Sequence, residues 1–122
     1  MNFQDINVLI AEDYPLNAIV LMKMLTQLGT KFMHFEDGEN LVLHYRNNRN
    51  YDLIFMDLEM PSLNGFEACE LIREFDVDIP IIACSAHCYD DMENELDNSQ
   101  MNGYLKKPYT IKELINVIVR FC

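Results

Sequence analysis

The chain has 122 residues, half of them hydrophobic and 24% charged. That is the length of one domain with enough apolar surface for a core, and it excludes a disordered chain. With 9 Lys and Arg against 20 Asp and Glu, the formal net charge is −11, which disfavours nucleic acid and anionic membrane as partners and favours cations, metal ions and proteins with basic patches.

The first apolar run is Val8-Leu9-Ile10-Ala11, and it ends at Glu12-Asp13. Pro15 suits the first turn of a helix and Gly29 the position just past its end, so residues 15–28 read as a helix with Val20, Leu21, Met24, Leu25 and Leu28 as its apolar stripe. Lys31 to Phe35 is a more mixed run, as an edge strand would be. Gly38 to Tyr45 reads as a helix with Leu41 and Tyr45 on one face. Leu53-Ile54-Phe55-Met56 is a further apolar run and ends at Asp57. Gly65 to Glu74 carries Ala68, Cys69, Ile72 and Phe75 at near-helical spacing, and Ile81-Ile82-Ala83-Cys84 then runs into Ser85. Tyr89 to Asn98 is a thinly patterned helix with only Tyr89, Met92 and Leu96. The short run Tyr104-Leu105 leads to Lys106-Lys107-Pro108. Thr110 with Glu113 three residues on forms a capping box, and Ile111, Leu114, Ile115 and Ile118 form the stripe of the helix that follows.

Three of the runs are apolar without alternation, the mark of strands covered on both faces. Strands alternating with helices predict an α/β fold with a parallel sheet of five strands and five helices. Ligands of such sheets bind beyond the C-terminal strand ends, so Glu12, Asp13, Asp57, Ser85 and the Lys106-Lys107 pair converge on one edge. At ~4 Å and an effective dielectric near 20, each like-charge pair costs about 4 kcal/mol. Three carboxylates in one cleft therefore call for a cation or raised pKa values, and Mg²⁺ fits a set of hard oxygen donors. The loop after the first run carries two negative charges and so repels a nucleotide or flavin phosphate.

These residues resemble the receiver domains of two-component response regulators, over essentially the whole of residues 1–122. The resemblance is carried by Glu12-Asp13, by Met56-Asp57-Leu58-Glu59-Met60-Pro61 with Asn64-Gly65, by Ser85-Ala86 and by Lys107-Pro108, in that order. The stretch from Ala11 to Asn17 looks most like receivers of hybrid histidine kinases and phosphorelays. The resemblance implies a doubly wound, flavodoxin-like sheet of order 2-1-3-4-5. It implies Asp57 as the acceptor of a phosphoryl group from a histidine kinase or histidine phosphotransfer protein. The implied Mg²⁺ (or Mn²⁺) site uses Asp13 and Asp57 directly, Glu12 through water, and the backbone carbonyl of Glu59. Lys107 would pair with Asp57 across a cis Lys107-Pro108 bond. Ser85 and Tyr104 would form the switch, and Glu59 and His87 would tune dephosphorylation. The implied output face, and the face of any homodimer, is the fourth helix, fifth strand and fifth helix. Ser85 stands where threonine is more usual, and Asn64 where aspartate is common.

Other features read more plainly. Cys69, Cys84, Cys88 and Cys122 have no zinc-ligand spacing and are expected as free thiols. His34, His44 and His87 read as solvated loop histidines. Met1 to Gln4 has no basic character, and no apolar run approaches the ~20 residues of a membrane span, so a cytoplasmic domain without membrane contact is expected. Two further functions are open to the same residues. One is a Mg²⁺-dependent phosphohydrolase working through an aspartyl phosphate, although Glu59 stands where that chemistry needs a second aspartate. The other is a protein-interaction module that is never phosphorylated. The expectation is a domain that catalyses only its own phosphorylation and dephosphorylation and is not otherwise an enzyme.

Overall fold

A computed structural model of the chain describes residues 2–122. A single 3₁₀ turn, Phe3–Asp5, precedes strand β1 (Asn7–Ala11). There follow α1 (Pro15–Leu28), β2 (Lys31–Phe35), α2 (Gly38–Asn47), β3 (Leu53–Asp57), α3 (Gly65–Arg73), β4 (Ile81–Ser85), α4 (Tyr89–Asn98), β5 (Gly103–Lys106) and α5 (Ile111–Phe121). All strand pairings are parallel, and the order across the sheet is β2-β1-β3-β4-β5. The expected class and strand order are both found.

Parallel register makes alternate residues of each strand face opposite layers. Val8, Ile10, Leu53, Phe55, Ile82, Cys84 and Leu105 face the layer that holds Leu21 and Leu25 of α1 and Leu114 and Ile118 of α5. Leu9, Ala11, Ile54, Met56 and Ile81 face the layer of Leu41, Val42 and Tyr45 of α2 and Ala68, Cys69 and Ile72 of α3. Both layers are closed to water, so β3 and β4 are buried at every position. That is the physical reason the sequence shows unbroken apolar runs there. β2, at the edge, shows the mixed exposure its sequence implied.

The helix ends follow their caps. The α5 capping box forms as expected, with Thr110 Oγ1 accepting from Glu113 N at 3.1 Å. A second box, Asn64 with Glu67, starts α3. Gly29 closes α1 at φ 78°, its N–H donating to the carbonyls of Leu25 and Thr26. The α1 stripe differs from its sequence pattern in one place. Ala18, Leu21 and Leu25 are buried, but Val20 is 49% exposed, because the sheet covers a narrower arc of the helix than the apolar residues span. α4 is the least anchored helix, with Leu96 its one buried residue and a Cys88 N-cap that makes no side-chain hydrogen bond. No described helix is long and apolar enough to cross a membrane.

Arg73 forms a buried latch that the sequence did not signal. Its guanidinium donates to Gln100 O from Nε (3.1 Å) and Nη2 (2.9 Å), to Asn102 Oδ1 (2.8 Å) and to Asp76 O (3.1 Å). Asn102 Oδ1 also accepts from Ile81 N at 2.9 Å, so one network ties the end of α3 to the α4–β5 loop and the start of β4.

Candidate functional site at the C-terminal edge of the sheet

The predicted site residues come together because parallel strands end on the same edge. Asp57 and Ser85 are the last residues of β3 and β4, Glu12 and Asp13 follow β1, and Lys107 follows β5. One carboxylate oxygen from each of Glu12, Asp13 and Asp57 lies within 4.8 Å of the others. Glu12 and Asp57 are buried and Asp13 is partly so. Three hard oxygens at this separation can share one small divalent cation, so the donor set suits the expected metal.

Without a cation the cluster is electrostatically strained. Burial, reinforced by the neighbouring Glu12 carboxylate, pushes Asp57 up to about 6, while Lys107 and the Glu59 N–H pull the other way. Burial and then the nearness of Asp57 also raise Asp13. Burial works to lower Lys107, but its bond to Glu12 and the Asp57 charge outweigh that and raise it.

Lys107 Nζ sits 2.5 Å from Glu12 Oε1 and 3.3 Å from Asp57 Oδ1. The lysine therefore spans both acids, and Glu12 rather than Asp57 is its nearer partner. The Lys107-Pro108 bond is cis, as expected. Asp57 Oδ1 also accepts from the Glu59 N–H at 3.2 Å.

Ser85 is buried, and its Oγ accepts from His87 N at 3.1 Å. The Tyr104 ring packs edge-on to Tyr89 with centroids 5.8 Å apart. Its hydroxyl is buried and faces Ser85, at a geometry outside that of a hydrogen bond, and it has no other polar partner among the described residues. The Glu59 and His87 side chains meet in an exposed pair, Oε1 to Nε2 2.5 Å, that joins the loops after β3 and β4. His87 is thus a loop histidine, but one already engaged.

Two residues acquire a place at the site that their sequence context did not give them. Gly65, the first residue of α3, lies against the backbone that carries Asp57. A Cβ there would collide with the Asp57 carbonyl oxygen and lie 2.9 Å from Leu58 Cα. His34, expected to be solvated, instead bonds through Nε2 to the Glu12 carbonyl at 2.8 Å. His44 is also engaged, with Nε2 2.7 Å from the Tyr51 hydroxyl, away from the site. No sequence signal could find the His34 contact, since it depends on the β1–β2 register. All four cysteines are free, with Cys69 and Cys84 buried.

The family model for the response regulator receiver domain matches residues 8–119. The chain is 38% identical over 120 residues to the autoinducer 1 sensor kinase/phosphatase LuxN of Vibrio campbellii, a match covering 97% of this chain but 14% of LuxN. It is 30% identical over 110 residues to two-component response regulator 24 of Arabidopsis thaliana, covering 90% of this chain and 79% of that one. The receiver domain of a Pseudomonas aeruginosa sensor histidine kinase, solved with a magnesium ion in its active-site cleft, superposes with a TM-score of 0.87 at 33% identity, covering 94% of this chain and 95% of that one. The chain thus spans about one seventh of the length of LuxN, the share being 14%.

Proposed function

The chain belongs to the response regulator receiver domains of two-component signalling, and from that footing we propose that it takes a phosphoryl group onto Asp57 from a phosphohistidine on a histidine kinase or histidine phosphotransfer protein. The observation that carries this reading is the convergence of the Glu12, Asp13 and Asp57 carboxylates within 4.8 Å, with the Lys107 ammonium 3.3 Å from Asp57 Oδ1. Phosphoryl transfer needs positioning and charge neutralisation more than acid–base chemistry, and this constellation offers both.

Asp13 and Asp57 would hold Mg²⁺ (or Mn²⁺), joined by the Glu59 carbonyl, with Glu12 acting through water. The bond from Lys107 occupies Glu12 Oε1 and favours that indirect role. When bound, the ion would offset the negative charge of the transferring group. Oδ1 of Asp57 is fixed by Lys107 and the Glu59 N–H, so Oδ2 is the attacking atom. The P–O bond forms as the P–N bond to the donor imidazole breaks, and the imidazole leaves with the electron pair. Lys107 then pairs with a phosphoryl oxygen.

The modification replaces the single carboxylate charge of Asp57 by a phosphoryl group that carries ~1.5 to 2 negative charges and three acceptor oxygens beside Ser85. The Ser85 hydroxyl donates to the new oxygens, and Tyr104, already directed inward, fills the space it leaves. That coupling shifts an equilibrium between two conformations and is read on the face formed by α4, β5 and α5, which is also the face of a homodimer if one forms. The exposed Glu59–His87 pair joins the loops after β3 and β4 and would tune the access of the water that hydrolyses the phosphoryl group. On this reading the chain catalyses only its own phosphorylation and dephosphorylation. It works in the cytoplasm, and the domain itself contacts neither nucleic acid nor membrane.

The test is intact mass after incubation with Mg²⁺ and acetyl phosphate. A single hydroxylamine-labile adduct, absent in Asp57→Asn, is expected. Multiple-turnover hydrolysis of diverse phosphate esters would instead indicate a phosphohydrolase. No adduct, even with beryllofluoride and with candidate kinases present, would indicate an unphosphorylated interaction module.

A further inference from the structure

Every polar atom of Glu12 has a partner. Its N–H donates to Phe35 O at 3.0 Å, Oε1 accepts from Lys107, Oε2 accepts from Tyr14 N at 3.2 Å, and the carbonyl is held by His34 Nε2 at 2.8 Å. A carbonyl can only accept, so the imidazole carries its proton on Nε2 and donates it. His34 and Phe35 are successive residues of the edge strand β2, paired with Ile10 and Ala11 at the end of β1. The edge strand thus reaches past the last strand pair and grips the Glu12 main chain at both its N–H and its C=O.

The gripped carbonyl belongs to the peptide plane that joins Glu12 to Asp13. Peptide units are planar, so fixing that oxygen fixes the plane. The peptide plane on the other side of Asp13 is held too, because the Tyr14 N–H donates to Glu12 Oε2, and with both flanking planes fixed the backbone rotations that aim the Asp13 side chain are limited. Asp13 sits in a loop, has no strand partner of its own, and is followed by the exposed residues Tyr14, Pro15 and Leu16. The Glu12–Asp13 peptide, held by His34, is therefore one of the two backbone constraints on where its carboxylate points.

We propose that His34 is a positioning residue for the cation site, holding the Glu12–Asp13 peptide plane so that the Asp13 carboxylate faces Asp57. The inference rests on the reading of Glu12, Asp13 and Asp57 as a Mg²⁺ site. Groups that orient metal ligands from outside typically change affinity by 10–100-fold when removed.

The experiment titrates the metal-free protein with Mg²⁺ alone by calorimetry, for the wild type, His34→Met and His34→Gln. Methionine keeps the bulk of the side chain and removes the donor, whereas glutamine returns an N–H at similar reach. The methionine variant is expected to bind Mg²⁺ about 10-fold more weakly, and the glutamine variant to recover most of that loss. Thermal midpoints without metal are measured in parallel. A merely structural role would lower the midpoint and leave Mg²⁺ affinity unchanged. Equal affinity in wild type and His34→Met overturns the proposal, as does a glutamine variant no better than methionine. A wild type that fails to bind Mg²⁺ overturns the metal-site reading itself, and this inference with it. His34→Leu makes the same comparison if the methionine variant does not fold.

Discussion

Gly65→Ala is the sharpest structural test of how the site is held. The added methyl would collide with the Asp57 carbonyl oxygen and lie 2.9 Å from Leu58 Cα and 3.1 Å from Asp57 C. These are backbone atoms of the β3 end, so no flexible side chain can move aside. Gly65 N also donates to Leu58 O at 3.2 Å, which keeps α3 and this loop in register as the methyl forces them apart. Overpacking of this kind costs about 1–3 kcal/mol. The alanine recovers about 0.4–1 kcal/mol from the lower entropy of the unfolded chain. The net loss is about 1–2 kcal/mol, and at about 4 °C per kcal/mol for a domain of this size the thermal midpoint falls by about 4–8 °C. The same shift displaces the Asp57 carboxylate from Lys107 and Asp13. A misplacement near 1 Å at a reacting group costs about 100-fold in rate, so the initial rate of phosphorylation by acetyl phosphate, followed by intact mass at saturating Mg²⁺, falls by about 10- to 100-fold. A Gly65→Ala protein with an unchanged or higher midpoint and a wild-type rate would refute the close-approach reasoning.

Three other outcomes are expected. Asp57 is raised from its ordinary 3.8 to about 6 by burial and by Glu12, so the folded state holds its proton more tightly than the unfolded one, and the metal-free protein loses stability as pH rises from 3.8 to 6. Asp57→Asn removes that penalty: without Mg²⁺ its midpoint exceeds wild type above pH 6 by an amount corresponding to at most about 3 kcal/mol, the gain fades as pH falls toward 4, and saturating Mg²⁺ abolishes it. Melting curves across pH with and without metal check this, and a gain that grew on acidification would contradict it. Arg73→Met leaves the carbonyls of Gln100 and Asp76 without this donor and Asn102 Oδ1 with the Ile81 N–H alone, so urea unfolding should show a loss of about 1–3 kcal/mol and hydrogen exchange should rise first in the α4–β5 loop. Tyr104→Phe removes a buried hydroxyl that has no hydrogen-bond partner among the described residues, so the midpoint should hold or rise, by up to about 1 kcal/mol in stability, whereas a fall of several degrees would show a hydrogen bond that the geometry lacks.

The sequence by itself determined the elements and which polar residues meet at one edge of the sheet. Unbroken apolar runs as short as Leu53 to Met56, bounded by loops, read as strands covered on both faces, and parallel strands bring their C-terminal ends to one edge. Asp57, Ser85, Glu12, Asp13 and Lys107 were therefore legible as one cluster before any contact was known. The Thr110–Glu113 box was legible for a similar reason, since its partners are three residues apart and interact within one turn. What the tertiary structure alone decided are contacts between segments distant in the chain. Lys107 and Glu12 are 95 residues apart, and their 2.5 Å approach depends on where β5 ends relative to β1. His34 reaches the Glu12 carbonyl through the β1–β2 register, Arg73 reaches Gln100 and Asn102 across a helix and a loop, and Val20 is left in solvent because the sheet is narrower than the α1 stripe. Periodicity records the face each segment turns to the core. Only the packing of segments against one another sets which polar atoms meet at its edge.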